Sequence, residues 1–249
     1  MEASREAWRR LQAVGGGIAQ TDWRDAVFFN LAVPPAVLQP IVPFPLDLYE
    51  GSAYVSVVAF DQQRFRTSFA QRLLSPLVRP FGSHLFCNLR AYVRCGEEPG
   101  VHFMREWVPN PVGTLIAPRT YGLPFRLASL HYEHDRADGL FFGRVTAKGL
   151  SLGLRATIDY GTALGVPAPG SLDDFLMERY TGFQTPGPLR LRFRIWHVPW
   201  PYHAASGEIV EDALLRGTGG WYASARLVSV LYSPGVEGVH IGLPNRAPC

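Results

Sequence analysis

The sequence predicts a mostly β protein of the α+β type, folded as one domain with a few helices. In three segments, residues 85–94, 150–160 and 189–197, apolar and polar residues alternate with the period of two typical of a strand with one buried face. The 25 glycines and 21 prolines lie between such runs and indicate many turns. With 249 residues the chain is long enough to bury a substantial core.

The N-terminal region predicts a short helix. Residues 2–14 have an amphipathic pattern, and the three glycines that follow end it. We therefore expect an N-terminal helix with a glycine-rich turn, residues 1–22, and then a single domain, residues 23–249. The five prolines between positions 34 and 45 exclude a long helix at the start of that domain.

The next part of the chain predicts adjacent strands. Residues 53–60 are apolar and β-rich, and they follow a turn at Glu50 and Gly51. The segment "HLFCNLRAYVR", residues 84–94, alternates regularly, so its even-numbered and odd-numbered residues lie on opposite faces of a strand. Residues 101–107 predict its partner.

Several segments are less regular. They predict a short helix at 67–78, strands near 112–120 and 126–133, a short helix near 208–216 and a last strand over 220–232.

The segment "SLDDFLMERY" predicts the clearest helix beyond the N-terminus. Ser171 is a natural N-cap, and Asp174 completes the pattern of a capping box. The strand that follows presents Arg190, Arg192 and Arg194 on one face, which we interpret as a solvated face that protects a sheet edge.

The stretch "GRVTAKGLSLGLRATIDY" contains the only lysine of the chain, Lys148, and a G-x-S-x-G pattern around Ser151. A nucleophile elbow needs a sharp strand-to-helix turn at the serine, whereas Ser151 lies inside an alternating strand, so a nucleophilic role is not supported. Lys148 has two interpretations. It is either a buried amine suited to Schiff-base chemistry or, as we favour, a strand-end residue whose amine reaches water.

Composition excludes several classes of protein. A net charge of +3 gives no reason to expect a nucleic-acid partner. Three cysteines without a C-x-x-C pattern predict neither a disulfide framework nor a metal site, and they favour a reducing compartment. The charged N-terminus is unlike a signal peptide, and no apolar run approaches the ~18 residues of a membrane span. We expect a cytoplasmic protein without cofactor, metal or membrane contact.

Four motifs, in order, resemble the YqjF-like family of bacterial domains of unknown function. They are the run from "WRDAVFF" to "YVSVVAF" (23–60), "NLRAYVRCGEEPGVHF" (88–103), "APRTYGLPF" (117–125) and "GSLDDFLMERYTGF" with the downstream "HVPWPYHAA" (170–205). The resemblance covers residues 23 to about 232. That family is similar in fold to acetoacetate decarboxylase. The resemblance thus implies a closed antiparallel β-barrel with flanking strands and a few helices, whose interior is the ligand pocket.

The sequence also departs from that pattern. The family usually has a glutamate two residues before the asparagine of its second motif, and here that position is Phe86. Nothing around Lys148 matches the paired lysines of the decarboxylase. Fold alone does not supply a reaction.

Five residues are candidates for ligand binding. Asn88, Arg90 and Tyr92 share one face of a strand and could bind a carboxylate or carbonyl group inside a barrel. The alternative is a polar face exposed to solvent. Arg119 and Tyr121 alternate on a predicted strand and could add a second anion contact, or could be a surface pair.

Two residues are candidates for proton transfer. Glu178 ends the capped helix and could act as an acid or base, although an ion pair with an arginine is the alternative. His197 continues an apolar row, where a histidine is either a catalyst or a hydrogen-bonded core residue.

These residues favour a small-molecule pocket protein, an enzyme acting on an organic acid or carbonyl compound without a Schiff base. The alternative is a non-catalytic module that binds or senses a small ligand, and a third hypothesis is Schiff-base decarboxylation through Lys148. The expected partner is an anionic or carbonyl-containing small molecule, and the chain could form a homo-oligomer.

Overall fold

A computed structural model of the chain describes residues 2–67 and 82–249. Within them the protein is mostly β, as predicted, and the strands all belong to one sheet. The strands are β1 (Gly17–Val33), β2 (Ala53–Thr67), β3 (His84–Cys95), β4 (Glu98–Val108), β5 (Phe125–Leu127), β6 (Ser129–Asp135), β7 (Leu140–Ala147), β8 (Leu150–Ile158), β9 (Thr181–Gln184), β10 (Leu191–Trp196), β11 (His203–Glu211), β12 (Arg226–Gly242) and β13 (Asn245–Arg246).

The helices are short. They are α1 (Glu2–Ala13), α2 (Pro35–Leu38), α3 (Pro111–Thr120), α4 (Leu172–Met177) and α5 (Ala213–Arg216), with 3-10 turns at Gln39–Ile41 and Gly220–Ser224. Helix α1 confirms the N-terminal prediction and buries Ala7 and Leu11. Helix α4 begins where predicted, because the Ser171 side chain accepts a hydrogen bond from the Asp174 N–H at 3.2 Å.

The order of strands in the sheet is β13-β10-β9-β4-β3-β2-β1-β12-β11-β8-β7-β6, and β5 pairs with β4. Strand β10 also pairs with β12, through Ile195 opposite Ile241 and Trp196 opposite His240. In the series β10, β9, β4, β3, β2, β1, β12, each strand therefore pairs with the next, and the last strand, β12, pairs with the first, β10.

Two clusters of buried side chains lie on opposite faces of the central strands. The larger core takes one face and packs it against β7 and β8, with residues such as Val57, Leu89 and Leu154. The smaller core takes the other face and is rich in aromatic rings, including Phe28, Phe86, Tyr92, Phe103, Phe193 and Trp200. This division follows from the period-two pattern, since successive residues of a strand point to opposite faces.

Some irregular segments differ from the predictions. Residues 112–120 form helix α3 instead of a strand, because Asn110 caps it and Pro111 occupies its first turn. The last long strand, β12, begins at Arg226 and not at 220, and the helix expected near 208–216 is confined to α5 (Ala213–Arg216), since β11 extends to Glu211. The helix predicted at 67–78 falls almost entirely outside the described residues.

Lys148 and Gly149 form the two-residue turn between β7 and β8. Both have positive φ, 52° and 77°, as a two-residue hairpin turn of the type I′ class requires. Lys148 is exposed, so the strand-end interpretation of this lysine is the correct one. Ser151 lies on β8 opposite Thr146, in agreement with its interpretation as a strand residue.

The cysteines correct an expectation. Cys95 and Cys249 form a disulfide that joins the end of β3 to the last residue of the chain, although the sequence predicted free thiols. Cys87 is free and buried. The pairing could not be foreseen, because it depends on the topology that brings residues 154 positions apart into contact.

Two arginines of this row, Arg192 and Arg194, are not solvated, which corrects a second expectation, whereas Arg190 precedes β10 and is exposed as expected. Arg192 and Arg194 both form ion pairs with Glu98 at the start of β4, and Arg194 also donates to the Thr181 hydroxyl at 3.0 Å. The row therefore ties β10 to its neighbours. Across 2–67 and 82–249, no helix is long and apolar enough to cross a membrane.

Candidate functional site

Asn88, Arg90 and Tyr92 share one face of β3, as the alternation predicted, and this is the face of the smaller core. Asn88 and Tyr92 are buried, with 5% and 0% of their surface exposed, and Arg90 is half-buried. The alternative of a solvent-facing polar face is therefore wrong. Polar groups of these types inside an aromatic cluster need specific partners, since burying them unpaired costs free energy.

A chain of buried hydrogen bonds links this row to its neighbouring strands. The Asn30 amide donates to the Ser229 hydroxyl at 2.9 Å, and the Ser56 hydroxyl donates to Asn30 Oδ1 at 2.5 Å. Ser56 Oγ lies 2.7 Å from the Tyr92 hydroxyl, whose single proton can go to Ser56 Oγ or to the Leu176 carbonyl 2.9 Å away. The chain fixes the Tyr92 ring and joins β12, β1, β2 and β3 to helix α4.

Arg90 contacts the same helix. Its Nη2 donates to the Leu176 carbonyl at 2.8 Å, and its guanidinium lies 5.3 Å from the centre of the Phe28 ring. Within the described part of the chain, Arg90 forms no ion pair with a carboxylate. The positive charge is therefore held by an aromatic ring and a carbonyl oxygen, and it has no anion of its own.

Glu106 lies directly opposite Asn88, on β4. It is 5% exposed, and burial raises the pKa of its carboxyl group well above the usual range. A raised pKa favours the protonated carboxyl group, which can donate a hydrogen bond. A β-bulge at Met104 places Glu106 on this face. Leu89 pairs with Arg105 and Arg90 pairs with Phe103, so Met104 between them has no paired residue.

Three buried polar atoms in this region have no hydrogen-bond partner among residues 2–67 and 82–249. They are Asn88 Oδ1, Arg90 Nε and Glu106 Oε2. Native proteins leave few such atoms unpaired, and each calls for an explanation. Here all three belong to inward-facing positions of two adjacent strands.

Glu178 and His197 lie at one end of the smaller core. Glu178 Oε2 accepts a hydrogen bond from the Tyr180 hydroxyl, and Glu178 Oε1 accepts one from the Trp200 N–H at 2.8 Å. The Tyr180 and His197 rings stack with their centres 4.6 Å apart. The sequence left open an ion pair between Glu178 and an arginine. The structure instead gives this carboxylate hydrogen bonds from Tyr180 and Trp200.

His197 is buried, and its Nδ1 lies 2.7 Å from the Val198 carbonyl. Burial lowers the pKa of His197, while the Glu178 carboxylate opposes this shift. Arg90 contributes to lowering the same pKa, so its charge reaches this end of the core. The two residues proposed for proton transfer are therefore neighbours of each other and of the row on β3.

Arg119 and Tyr121 do not lie on a strand, which corrects the prediction. Arg119 is exposed on α3, where its Nη1 donates to the Leu115 carbonyl at 2.5 Å. Tyr121 follows the helix, its ring packs against Phe193, and its hydroxyl donates to the Gly242 carbonyl at 3.0 Å. Arg119 is therefore a surface residue, whereas Tyr121 packs against the smaller core, to which Tyr92 of the β3 row also belongs.

Glu106, Asn30 and Ser56 were not foreseen from the sequence. Asn30 interrupts the apolar run "VFFNLAV", and a polar residue within such a run could have indicated a buried hydrogen-bonding position. If β4 alternated strictly, Glu106 and Phe103 would lie on opposite faces. Because Met104 is unpaired in the bulge, the two residues lie on the same face. Among the described side chains, no group of three or more histidine, cysteine, aspartate or glutamate residues is arranged to hold a metal ion.

A family model for DUF2071, described as an uncharacterized conserved protein, matches residues 20–237 of the chain. The chain belongs to the DUF2071 family. This confirms the resemblance drawn from the four motifs, because the chain is also 26% identical to the uncharacterized protein YqjF of Bacillus subtilis (strain 168). That likeness extends over 204 residues, 81% of this chain and 82% of the relative.

Solved structures similar to this DUF2071 member share the acetoacetate-decarboxylase fold. An acetoacetate decarboxylase-like enzyme from Sphingomonas wittichii RW1 has a TM-score of 0.65 at 18% identity, covering 94% of both chains. The enduracididine biosynthesis enzyme MppR complexed with pyruvate has a TM-score of 0.66 at 13% identity, covering 92% of this chain and 90% of its own. At these identities the likeness establishes the fold and not a reaction.

Proposed function

We propose that this DUF2071 protein binds a small organic acid or carbonyl compound in the smaller core and acts on it without a Schiff base. The observation that carries the proposal is the set of unpartnered buried atoms at Asn88, Arg90 and Glu106. A ligand with an anionic group and a carbonyl oxygen would supply the missing partners.

The pocket in this proposal is the interior of a closed barrel. The pairing of β10 with both β9 and β12 supports closure, because it returns the sheet to its starting strand. The smaller core, with its inward residues from β1, β2, β3, β4, β10 and β12, then lines the interior, and helix α4 covers one end.

Each polar group has a distinct part in the proposed chemistry. Arg90 binds the anionic group, since a guanidinium in a low-dielectric site forms strong, directional bonds to a carboxylate. The neutral carboxyl of Glu106 donates a hydrogen bond to the carbonyl oxygen and stabilises negative charge that develops there. Glu178 and His197, at the end of the core, move protons to and from the bound molecule.

Two findings bear on the kind of reaction. Lys148 is exposed in a turn beyond the smaller core, so the hypothesis of a Schiff base through this residue has no geometric support. The complex of MppR with pyruvate shows that a protein of similar fold binds a 2-oxo acid, which favours that class of ligand here. The cytoplasmic location expected from the sequence stays a prediction.

Thermal denaturation with and without pyruvate tests the proposal. Pyruvate should raise the melting temperature of the wild type and of R119Q, which removes an exposed arginine outside the site. It should not raise that of R90Q. An equal shift in R90Q would refute the site.

Turnover is then followed by NMR spectroscopy of pyruvate and of acetoacetate incubated with the protein. Conversion that E178Q and H197Q each slow by about a hundredfold supports an enzyme. Binding without conversion of either compound favours the alternative, a module that binds or senses the ligand.

A further inference from the structure

A second cleft, of about 220 Å³, lies on the opposite face of β4 from Glu106 and is lined by Ile41, His102, Met104, Arg105 and Thr218. His102 and Met104 belong to the side of the larger core, where the His102 ring lies 5.8 Å from that of Phe44. The bulge at Met104 is what directs Arg105 to this side, since Arg105 pairs with Leu89 of the larger core. The cleft therefore does not belong to the site proposed above.

Arg105 provides a positive charge to this cleft. It is half-buried, and its Nη1 donates only to the neighbouring Met104 carbonyl at 2.7 Å. In the part of the chain that the structure describes, no carboxylate forms an ion pair with it. Burial lowers the pKa of Arg105, and the positive charge of the nearby Arg126 lowers it further.

His102 provides a hydrogen-bond acceptor. Its Nδ1 lies 3.0 Å from the Phe183 carbonyl, which can only accept, so Nδ1 carries the proton. In the neutral ring Nε2 is then a bare acceptor, and burial keeps the ring neutral by lowering the pKa of His102. Only 8% of this side chain is exposed, and the ring lines the cleft.

Thr218 has no hydroxyl proton left to donate to a ligand. Its hydroxyl donates to the Leu215 carbonyl at 2.7 Å and accepts from the Trp221 indole at 2.9 Å. The polar groups left for a ligand are therefore one cationic donor and one neutral acceptor, beside the apolar walls of Ile41 and Met104.

We propose that this cleft is a second binding site, for a small hydroxy acid whose carboxylate pairs with Arg105 and whose hydroxyl donates to His102 Nε2. Because Met104 and Arg105 form the bulge that also sets the position of Glu106, a ligand held here is connected through one strand to the site in the smaller core.

The methionines allow each site to be observed separately. Met104 lines this cleft, whereas Met177 is buried in the smaller core beside Leu176, and Met1 is the third methionine of the chain. With 13C-labelled methionine methyl groups, M104L and M177L assign the two signals. Glycolate is the probe, and acetate is the matched acid without a hydroxyl.

We expect glycolate to shift the Met104 signal in a saturable manner and to bind about tenfold more weakly to R105Q. H102F should reduce the preference for glycolate over acetate. In R90Q the Met104 shift should persist, which separates this site from the one in the smaller core. A Met104 signal that glycolate leaves unmoved, or moves equally in R105Q, would overturn the proposal.

Discussion

Asn88 and Glu106 face each other across strands β3 and β4, and each has a buried side-chain oxygen without a hydrogen-bond partner among the residues that the structure describes. Directly opposed residues on antiparallel strands have their β-carbons about 5 Å apart. A neutral carboxyl group and an amide at that spacing form a polar surface inside an otherwise aromatic cluster. The burial of Glu106 in this surface should therefore affect stability.

Replacing Glu106 with glutamine should stabilise the protein at neutral pH. Burial raises the pKa of Glu106, so the folded state keeps a proton that the unfolded chain loses above about pH 4.3. The stability of the wild type therefore falls as pH rises from there toward the folded pKa, by about 1.4 kcal/mol per pH unit. The stability of E106Q should not decrease in this way as pH rises.

Urea denaturation between pH 4 and 8 measures the difference. E133Q is the matched control, because Glu133 is exposed on β6. Parallel curves for the wild type and E106Q would contradict a raised pKa.

Removing the Tyr92 hydroxyl should destabilise the fold. This hydroxyl contacts Ser56 at 2.7 Å and the Leu176 carbonyl at 2.9 Å, both within the buried chain of hydrogen bonds. We expect Y92F to lower the free energy of unfolding by about 1–3 kcal/mol, since polar groups are left unpaired. Y49F, which removes an exposed hydroxyl bonded to the Gly170 carbonyl, should change it by less than about 0.5 kcal/mol.

The turn between β7 and β8 should tolerate replacement of Lys148 but not of Gly149. K148N keeps a residue that accepts positive φ, so we expect unchanged or slightly raised stability and an unchanged pyruvate-induced melting shift. G149A places a β-carbon at φ 77° and should cost about 1–2 kcal/mol. Loss of the pyruvate effect in K148N, with the fold intact, would restore a role for the lysine.

The three cysteines should differ in reactivity. Burial raises the pKa of the Cys87 thiol to about 12, so it should resist iodoacetamide in the folded protein at pH 8. After mild reduction, Cys95 and Cys249 should be alkylated and Cys87 spared, as mass spectrometry of peptides can show. Labelling of Cys95 and Cys249 before any reduction would mean that the disulfide is absent.

The disulfide should also stabilise the protein. It closes a loop between residues 154 positions apart, and restricting so large a loop in the unfolded chain contributes about 2–4 kcal/mol. C249S should therefore melt at a lower temperature than the oxidised wild type. Under reducing conditions the two proteins should melt alike.

The sequence was sufficient to predict the strands in which alternation is regular. It predicted which residues of β3, β8 and β10 share a face, because apolar and polar residues alternate there with a period of two. It failed at α3, since Pro118 inside the helix and exposed apolar residues such as Leu115 conceal the helical pattern. Asn88, Arg90 and Tyr92 were predicted as neighbours for the same reason that β3 was.

The remaining part of the candidate site depends on contacts between distant residues. Asn30, Ser56 and Glu106 join the row on β3 only through the register of four strands, which one sequence does not reveal. Glu178 and His197 come together through the stacking of Tyr180, a contact made only after folding.

The unpaired residue in β4 has a consequence for comparing relatives of this protein. Inserting one amino acid between Glu98 and Met104, with the bulge kept, would send Arg105 toward the aromatic interior and Glu106 away from it, whereas losing one residue together with the bulge would leave both in place. Alignments that ignore strand length at this point will equate residues from opposite sides of the sheet. A homologue keeps the glutamate opposite the asparagine only if the length of this strand agrees with the presence or absence of the bulge.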